Sequence, residues 1–301
     1  MRRLVFAACA IVAGARLEAQ APDWSRIEIK AEKVAGNVYM LSGSGGFSGG
    51  NIGVSVGPDG VALIDDKFEP LVPKIEAALK GISDKPVRFV INTHYHGDHT
   101  HGNKAYGLRA TVIAQENVRK RVAESDEFDG QPGTKAPPQA LPLITFDHKL
   151  SLYLNGEEIR GLHFPAGHTD GDTVVFFTGS NVVHMGDDFF NGLFPFIDLE
   201  GGGSVPGYVA AVEAVLAQLP PGVRIIPGHG PLATRADLEV NLAMLKETSA
   251  VVQKGLSAGQ TAEQMKAAKV LAKWDKYSWD FISTDKYIDQ LCAGLAPAPK
   301  K

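Results

Sequence analysis

The run Thr93-His94-Tyr95-His96-Gly97-Asp98-His99 follows directly on Arg88-Phe89-Val90-Ile91-Asn92, a short apolar stretch that reads as a buried strand. A strand that stops in a cluster of histidines and an aspartate delivers imidazole and carboxylate groups into one small volume at a sheet edge. Neutral imidazole and carboxylate are the donors that hold zinc and related divalent metals. Three isolated motifs downstream, Gly167-His168-Thr169-Asp170, Met185-Gly186-Asp187 and Pro227-Gly228-His229-Gly230, complete the set. The candidate ligands are therefore His94, His96, Asp98, His99, His168, Asp187 and His229. A histidine-rich surface loop accounts for one such motif, not for all of them.

The start of the chain constrains where such a site would work. Arg2 and Arg3 precede an unbroken apolar and small-residue stretch, Leu4 to Gly14, and Leu17-Glu18-Ala19 before Gln20 has the small residues of a cleavage site. Residues 1–19 read as a secretory signal, too short in its apolar part to span a bilayer. This predicts a mature chain from residue 20, secreted across the inner membrane into the periplasm. The formal net charge of −4 becomes more acidic on cleavage, because Arg2, Arg3 and Arg16 leave with a single Glu18. An acidic exported chain is a poor electrostatic match for nucleic acid. Cys9 departs with the signal, which leaves Cys292 alone and rules out an intramolecular disulfide. No later segment has the length and apolarity of a membrane span. Stability must come from a packed core, for which this length suffices in one α/β domain.

Along the chain, residues 27–33 and 37–41 read as strands, followed by the glycine-rich loop 42–50. Strands 51–56 and 61–64 flank the turn Gly57-Pro58-Asp59-Gly60, and 71–80 has helical apolar spacing. A strand at 110–114 and a helix at 116–123 precede residues 124–147, which lose periodicity, carry four prolines and read as a long loop. The second block has strands 150–154 and 157–164 joined by Asn155-Gly156, a strong hairpin signal, then strands 173–177 and 182–185. A helix at 206–219, a strand at 223–226 and helices at 235–255 and 284–294 follow, with Thr261-Ala262-Glu263-Gln264 as a capping box. Two similar halves thus each end strands in metal motifs, the pattern of two sheets packed face to face with helices outside, an αββα sandwich. No linker divides residues 20–301, and helices close the domain after about residue 235.

His94-Tyr95-His96-Gly97-Asp98-His99 resembles the His-x-His-x-Asp-His motif of the metallo-β-lactamase superfamily, and Leu63-Ile64-Asp65-Asp66 resembles that family's first motif. His168, Asp187 and His229 fall in the family's order. The resemblance implies the four-layer metallo-β-lactamase fold and two metal sites, zinc by preference, with iron or manganese as alternatives. His94, His96 and His168 would hold the first metal. Asp98, His99 and His229 would hold the second, with Asp187 bridging both or capping the second. Two such ions roughly 3.5–4 Å apart generate a bridging hydroxide nucleophile near neutral pH, which Asp98 would orient as a catalytic group. Asp65 would anchor the ligand loop by hydrogen bonds or simply cap its strand.

The familiar plasmid-borne zinc β-lactamases carry cysteine where this chain has Asp187, and a lysine shortly after it. Here Asp188-Phe189-Phe190-Asn191-Gly192-Leu193-Phe194 follows, with no basic residue before Arg224. That departure turns the first reading from a dedicated β-lactamase to an exported zinc hydrolase of a small ester, lactone, thioester or β-lactam, with a true metallo-β-lactamase as the alternative. A di-iron redox protein and a non-catalytic metal binder are readings of another class. Phe47 in the glycine-rich loop and Asn191 are candidate substrate-flap contacts, and Phe189, Phe190, Phe194 and Phe196 supply either a pocket wall or ordinary core. Asp170 and Asp172 organise the turn after His168, and Asp188 is a competitor for the role of Asp187. His101, His148, His163 and His184 lie outside the pattern and read as surface or core-edge histidines. The sequence leaves the oligomeric state open.

Overall fold

A computed structural model describes residues 23–130 and 132–296; residues 1–19, expected from the sequence to be a secretory signal, lie outside the described residues. One sheet runs in sequence order: β1 (Glu28–Ala35), β2 (Val38–Ser44), β3 (Ile52–Gly57), β4 (Gly60–Ile64), β5 (Val87–Ile91), β6 (Thr111–Gln115) and β7 (Ile144–Phe146). The other has the spatial order β13 (Ala233–Thr234), β12 (Arg224–Ile226), β11 (Val182–His184), β10 (Thr173–Phe177), β9 (Glu157–His163) and β8 (Lys149–Leu154). The first four strands form an antiparallel meander, after which β4 to β7 pair in parallel. In the second sheet only β11 and β12 are parallel neighbours. The helices are α1 (Val72–Lys80), α2 (Gly97–Thr100), α3 (Asn103–Tyr106), α4 (Glu116–Glu124), α5 (Val205–Gln218), α6 (Arg235–Ser257), α7 (Ala262–Ala267) and α8 (Thr284–Leu295).

The four layers follow from how the strands divide their side chains. Along β4, Val61 and Leu63 join the cluster that packs against Ile75 and Leu79 of α1, whereas Ala62 and Ile64 face the second sheet. Along β10, Val174 and Phe176 pack outward with Tyr208 and Val212 of α5, while Val175 and Phe177 face inward with Ile64 and Ile91. A strand buried on both faces needs an unbroken apolar run, which Val61-Ala62-Leu63-Ile64 and Val174-Val175-Phe176-Phe177 supply. The fold is thus an αββα sandwich, and α6 and α8 extend its outer layer through Leu245, Val252, Ile288 and Leu291. Helix starts are specified locally: Ser204 and Ser283 cap α5 and α8, and capping boxes at Thr234–Asp237 and Thr261–Gln264 open α6 and α7.

Two local expectations are corrected. Residues 124–147 are not a bare loop: they hold two 3-10 turns and end in β7, which pairs with β6 through Ile113 and Ile144. An exposed edge strand of three residues carries too little alternation to be read. The two-residue β13 is shorter still. The glycine-rich loop is partly strand, since β2 continues to Ser44 in register with Glu28, so the free flap begins at Gly45.

Asn155 does more than turn a hairpin. It adopts φ 53 at the β8–β9 turn, and its side chain reaches the other sheet, donating to Ser55 Oγ and the Gly60 carbonyl at 3.1 Å each. It also accepts from the Asp59 amide at 3.1 Å. Replacing it orphans these buried partners and strains the turn. Asn155→Ala is expected to cost about 2–4 kcal/mol, read as a lower urea midpoint with unchanged slope.

Candidate metal centre

All the motif residues emerge at one edge of the sandwich, where strands running the same way reach their carboxyl ends. Asp65 follows β4, Thr93 to His99 follow β5, His168 follows β9, Asp187 follows β11 and His229 follows β12. Ligand sites collect at such ends because the loops diverge there and leave a crevice. Two glycines permit the close approach: a Cβ at Gly50 would collide with the His99 ring, and one at Gly228 with the Asp187 carboxylate.

The seven side chains converge as two groups, His94, His96, His168 and Asp187 in one and Asp98, His99 and His229 in the other. Within each, one potential donor atom per residue lies within 4.8 Å of all the others. In the first group His96 Nδ1 lies 3.2 Å from His94 Nε2 and 2.9 Å from His168 Nε2. In the second, Asp98 Oδ2 lies 3.5 Å from His99 Nε2 and 3.3 Å from His229 Nε2. Asp187 faces both: Oδ2 is 3.8 Å from His94, 3.5 Å from His168 and 3.5 Å from His229, and Oδ1 is 3.1 Å from His99.

The far side of four of these rings shows why the arrangement suits a cation. Thr93 Oγ1 donates to Asp65 Oδ2 at 2.8 Å and so accepts from His94 Nδ1 at 3.0 Å. His96 Nε2 donates to Asp198 at 2.9 Å, His168 Nδ1 to the Phe196 carbonyl at 2.7 Å, and His99 Nδ1 to Asp65 at 2.7 Å. A neutral imidazole has one N–H, and in His94, His96 and His168 it is committed outward, so their inner nitrogens present lone pairs to one another. Burial opposes charge on His99, but the Asp187, Asp98 and Asp65 carboxylates outweigh it and raise that ring well above its ordinary value. His99 Nε2 and Asp187 Oδ1 are fully buried and face each other at 3.1 Å without the alignment of a hydrogen bond. Facing lone pairs and orphaned donors beside two carboxylates form a cradle that a pair of divalent cations satisfies.

The electrostatics agree. Burial holds His168 down at about 4, and burial with the neighbouring His99 keeps His94 well below its ordinary value. Both rings stay neutral, as ligands must be. Burial opposes charge on His229 too, but the Asp187 and Asp98 carboxylates outweigh it and lift that ring to about 9. The field that draws a proton there favours any cation.

Asp65 spends one oxygen on the Thr93 amide at 2.7 Å and the other on Thr93 Oγ1 and His99, at φ 66, a backbone region that L-residues seldom occupy. Asp188 faces away from the donors, accepting from the His168 amide at 3.2 Å. Asp172 accepts from the Thr169 amide and hydroxyl, and Asp170 pairs with Arg121, so both organise the His168 turn. The aromatic run divides: Phe190 and Phe196 line the cavity over the donors, whereas Phe189 and Phe194 are core. Phe47 reaches that cavity, stacked on His229 at 5.9 Å between ring centres. Asn191 does not: its side chain donates to the Pro231 carbonyl at 2.9 Å, which makes it a brace of the His229 loop rather than a flap contact. His148 is exposed and His163 half-buried, but His101 lines the cavity and His184 is fully buried, donating to the Asn51 carbonyl at 3.0 Å.

Three supporting residues carry no sequence motif. Asp198 receives both His96 and the Tyr95 hydroxyl, and although burial opposes its charge, these bonds hold its carboxyl below the ordinary range. Asn51 clamps the His229 loop through the Pro227 and Gly230 carbonyls at 3.0 and 2.9 Å. Lys67, fully buried at φ 60, donates to the Gly49 and Gly50 carbonyls at the root of the flap. Burial lowers its ammonium to about 7 against the pull of Asp98 and Asp65.

A family model described as "Metallo-beta-lactamase superfamily" matches residues 45–229. A linear primary-alkylsulfatase from Pseudomonas sp. (strain ATCC 19151) is 24% identical over 279 residues, covering 76% of this chain and 52% of that protein. The 2,4-dinitroanisole O-demethylase subunit alpha of Nocardioides sp. (strain JS1661) is 23% identical over 215 residues, covering 67% of this chain and 59% of its own. The chain therefore spans little more than half the length of these curated relatives. Among solved structures, a metallo-beta-lactamase from Pontibacter korlensis superposes with a TM-score of 0.62 at 18% identity, covering 73% of this chain and 99% of that one. At that identity the likeness speaks for the fold alone.

Asp198→Ala frees the outer nitrogen of His96 and with it the ring's orientation. Metal affinity is expected to fall about 10–100-fold, measured by competition with a chromophoric chelator, while circular dichroism stays unchanged.

Proposed function

The chain belongs to the metallo-β-lactamase superfamily, and on that premise we propose an exported, metal-dependent hydrolase with two zinc ions that cleaves a small carbonyl substrate: an ester, lactone, thioester or β-lactam. The observation that carries the reading is the convergence of inner ring nitrogens whose outer nitrogens are already committed to Thr93, Asp198, Phe196 and Asp65. Five imidazoles and two carboxylates suit zinc, with iron or manganese as alternatives.

His94, His96 and His168 would hold one cation and Asp98, His99 and His229 the other, with Asp187 reaching both. When bound, such a pair would supply Lewis acidity toward the carbonyl and the leaving group and would lower the pKa of a coordinated water toward about 7. The chain's own work is orientation and proton handling. Asp98, reachable from the cavity, orients the attacking water and accepts its proton at Oδ2. Phe47 and Phe190 cover His229 on two sides and limit its access to bulk water. Asp65 and Asp198 keep the rings from turning as charge moves.

Zinc-loaded protein is expected to carry two metals per chain by elemental analysis and to turn over at least one of a lactone, a thioester, a 4-nitrophenyl ester and a chromogenic cephalosporin. His96→Ala and Asp98→Ala should each lower that turnover about 10³-fold or more with little change in fold. Retained turnover in both variants rejects the mechanism. Export predicts that the full chain, expressed in a Gram-negative host, yields a periplasmic species whose mass begins at Gln20.

A further inference from the structure

Above the donors lies a cavity of about 880 Å³. Its walls are aromatic: Phe47 and Phe68 on the flap side, Phe190 and Phe196 beneath, Trp279 and Phe281 opposite. Among the described residues, no lysine or arginine lines it, and the one acidic side chain away from the metal groups is Asp280, between Trp279 and Phe281. Phe47 and Phe281 remain 51% and 49% exposed. Large apolar groups left half in water on both sides of one cleft contribute little to folding and mark a surface that a ligand covers.

The wall opposite the flap comes from a separate stretch of chain. Trp279, Asp280 and Phe281 lie beyond residues 45–229, which carry the family match. They are nonetheless fixed. Trp279 Nε1 donates to the Phe194 carbonyl at 2.9 Å, and Phe194 in turn donates its amide to the Tyr277 carbonyl at 2.8 Å. Phe281 packs edge-on to Phe196 at 5.7 Å between ring centres.

We infer that Trp279 and Phe281 form a subsite for an uncharged aryl or alkyl group, and that substrates anionic at the end remote from the scissile carbonyl are selected against. This rests on the hydrolase reading above and names its substrate class. An anionic end would leave water for a wall with no lining cation and a carboxylate at Asp280. The nearby Lys286 ammonium lies over the Phe281 ring and is spent on the Phe281 carbonyl at 3.0 Å, so the desolvation goes largely uncompensated. A phenyl or butyl group instead buries apolar area against the wall, with a gain on the order of tenfold or more in binding. The same argument disfavours substrates, carboxylated β-lactams among them, whose negative charge must sit away from the metals.

The test compares 4-nitrophenyl acetate, butyrate and hemisuccinate on the zinc-loaded full chain. A second arm measures calorimetric binding of 4-phenylbutanamide and of 4-(4-carboxyphenyl)butanamide to the same protein. The butyrate should exceed the hemisuccinate about tenfold in kcat/KM, and the neutral amide should bind about tenfold more tightly than its carboxylated partner. Trp279→Ala and Phe281→Ala should each erase most of the preference for butyrate over acetate, chiefly through KM, while acetate turnover stays within about threefold. Equal or better handling of the carboxylated compounds, or variants that keep the chain-length preference, overturns the inference and leaves the hydrolase reading standing. Tight binding of the neutral amide, lost in Trp279→Ala, with no ester turned over, upholds the subsite and overturns the hydrolase reading.

Discussion

Lone pairs of neighbouring imidazoles repel, and a fold that holds three such nitrogens about a single point must either supply a cation or spend stability keeping the rings there. In this chain the second half of that bargain is visible in detail. Thr93, Asp198, the Phe196 carbonyl and Asp65 each take the outer N–H of one ring. None of those partners can relax without releasing a ring to turn its proton inward. The site is therefore organised from outside in, and the surrounding loops are shaped by what the rings require.

Asp65 shows how far this reaches. It sits at the end of β4, where an unfavourable backbone angle is tolerated because the carboxylate is shared among the Thr93 amide, the Thr93 hydroxyl and His99. Two residues on, Lys67 is buried with its ammonium under the root of the flap. One short turn thus connects the orientation of a ring, the position of the loop after β5 and the root of the glycine-rich flap. Asn51 makes the corresponding link from β3 to the His229 loop.

Much of the architecture was legible because both sheets are buried on both faces, so central strands write themselves as continuous apolar runs. The edge strands β7 and β13 escaped, being too short to show any period. The seven donors were legible because they come as dense local motifs at strand ends. Asp198 was not, since it lies 102 residues from His96 and nothing around it marks an imidazole partner. His101, read as a surface or core-edge histidine, faces the cavity because α2 turns it there, a fact of helix geometry that spacing from His99 does not reveal. Asn191 misled in the opposite sense: adjacency to the metal loop suggested an open contact, but its amide is committed to Pro231.

Trp279 and Phe281 stand after the last donor by a span that includes all of α6 and α7. Reactivity and selectivity are thus written in different paragraphs of the same chain. Drift in the later one can retune what is admitted while the earlier one, tied down ring by ring, continues to perform an unaltered reaction.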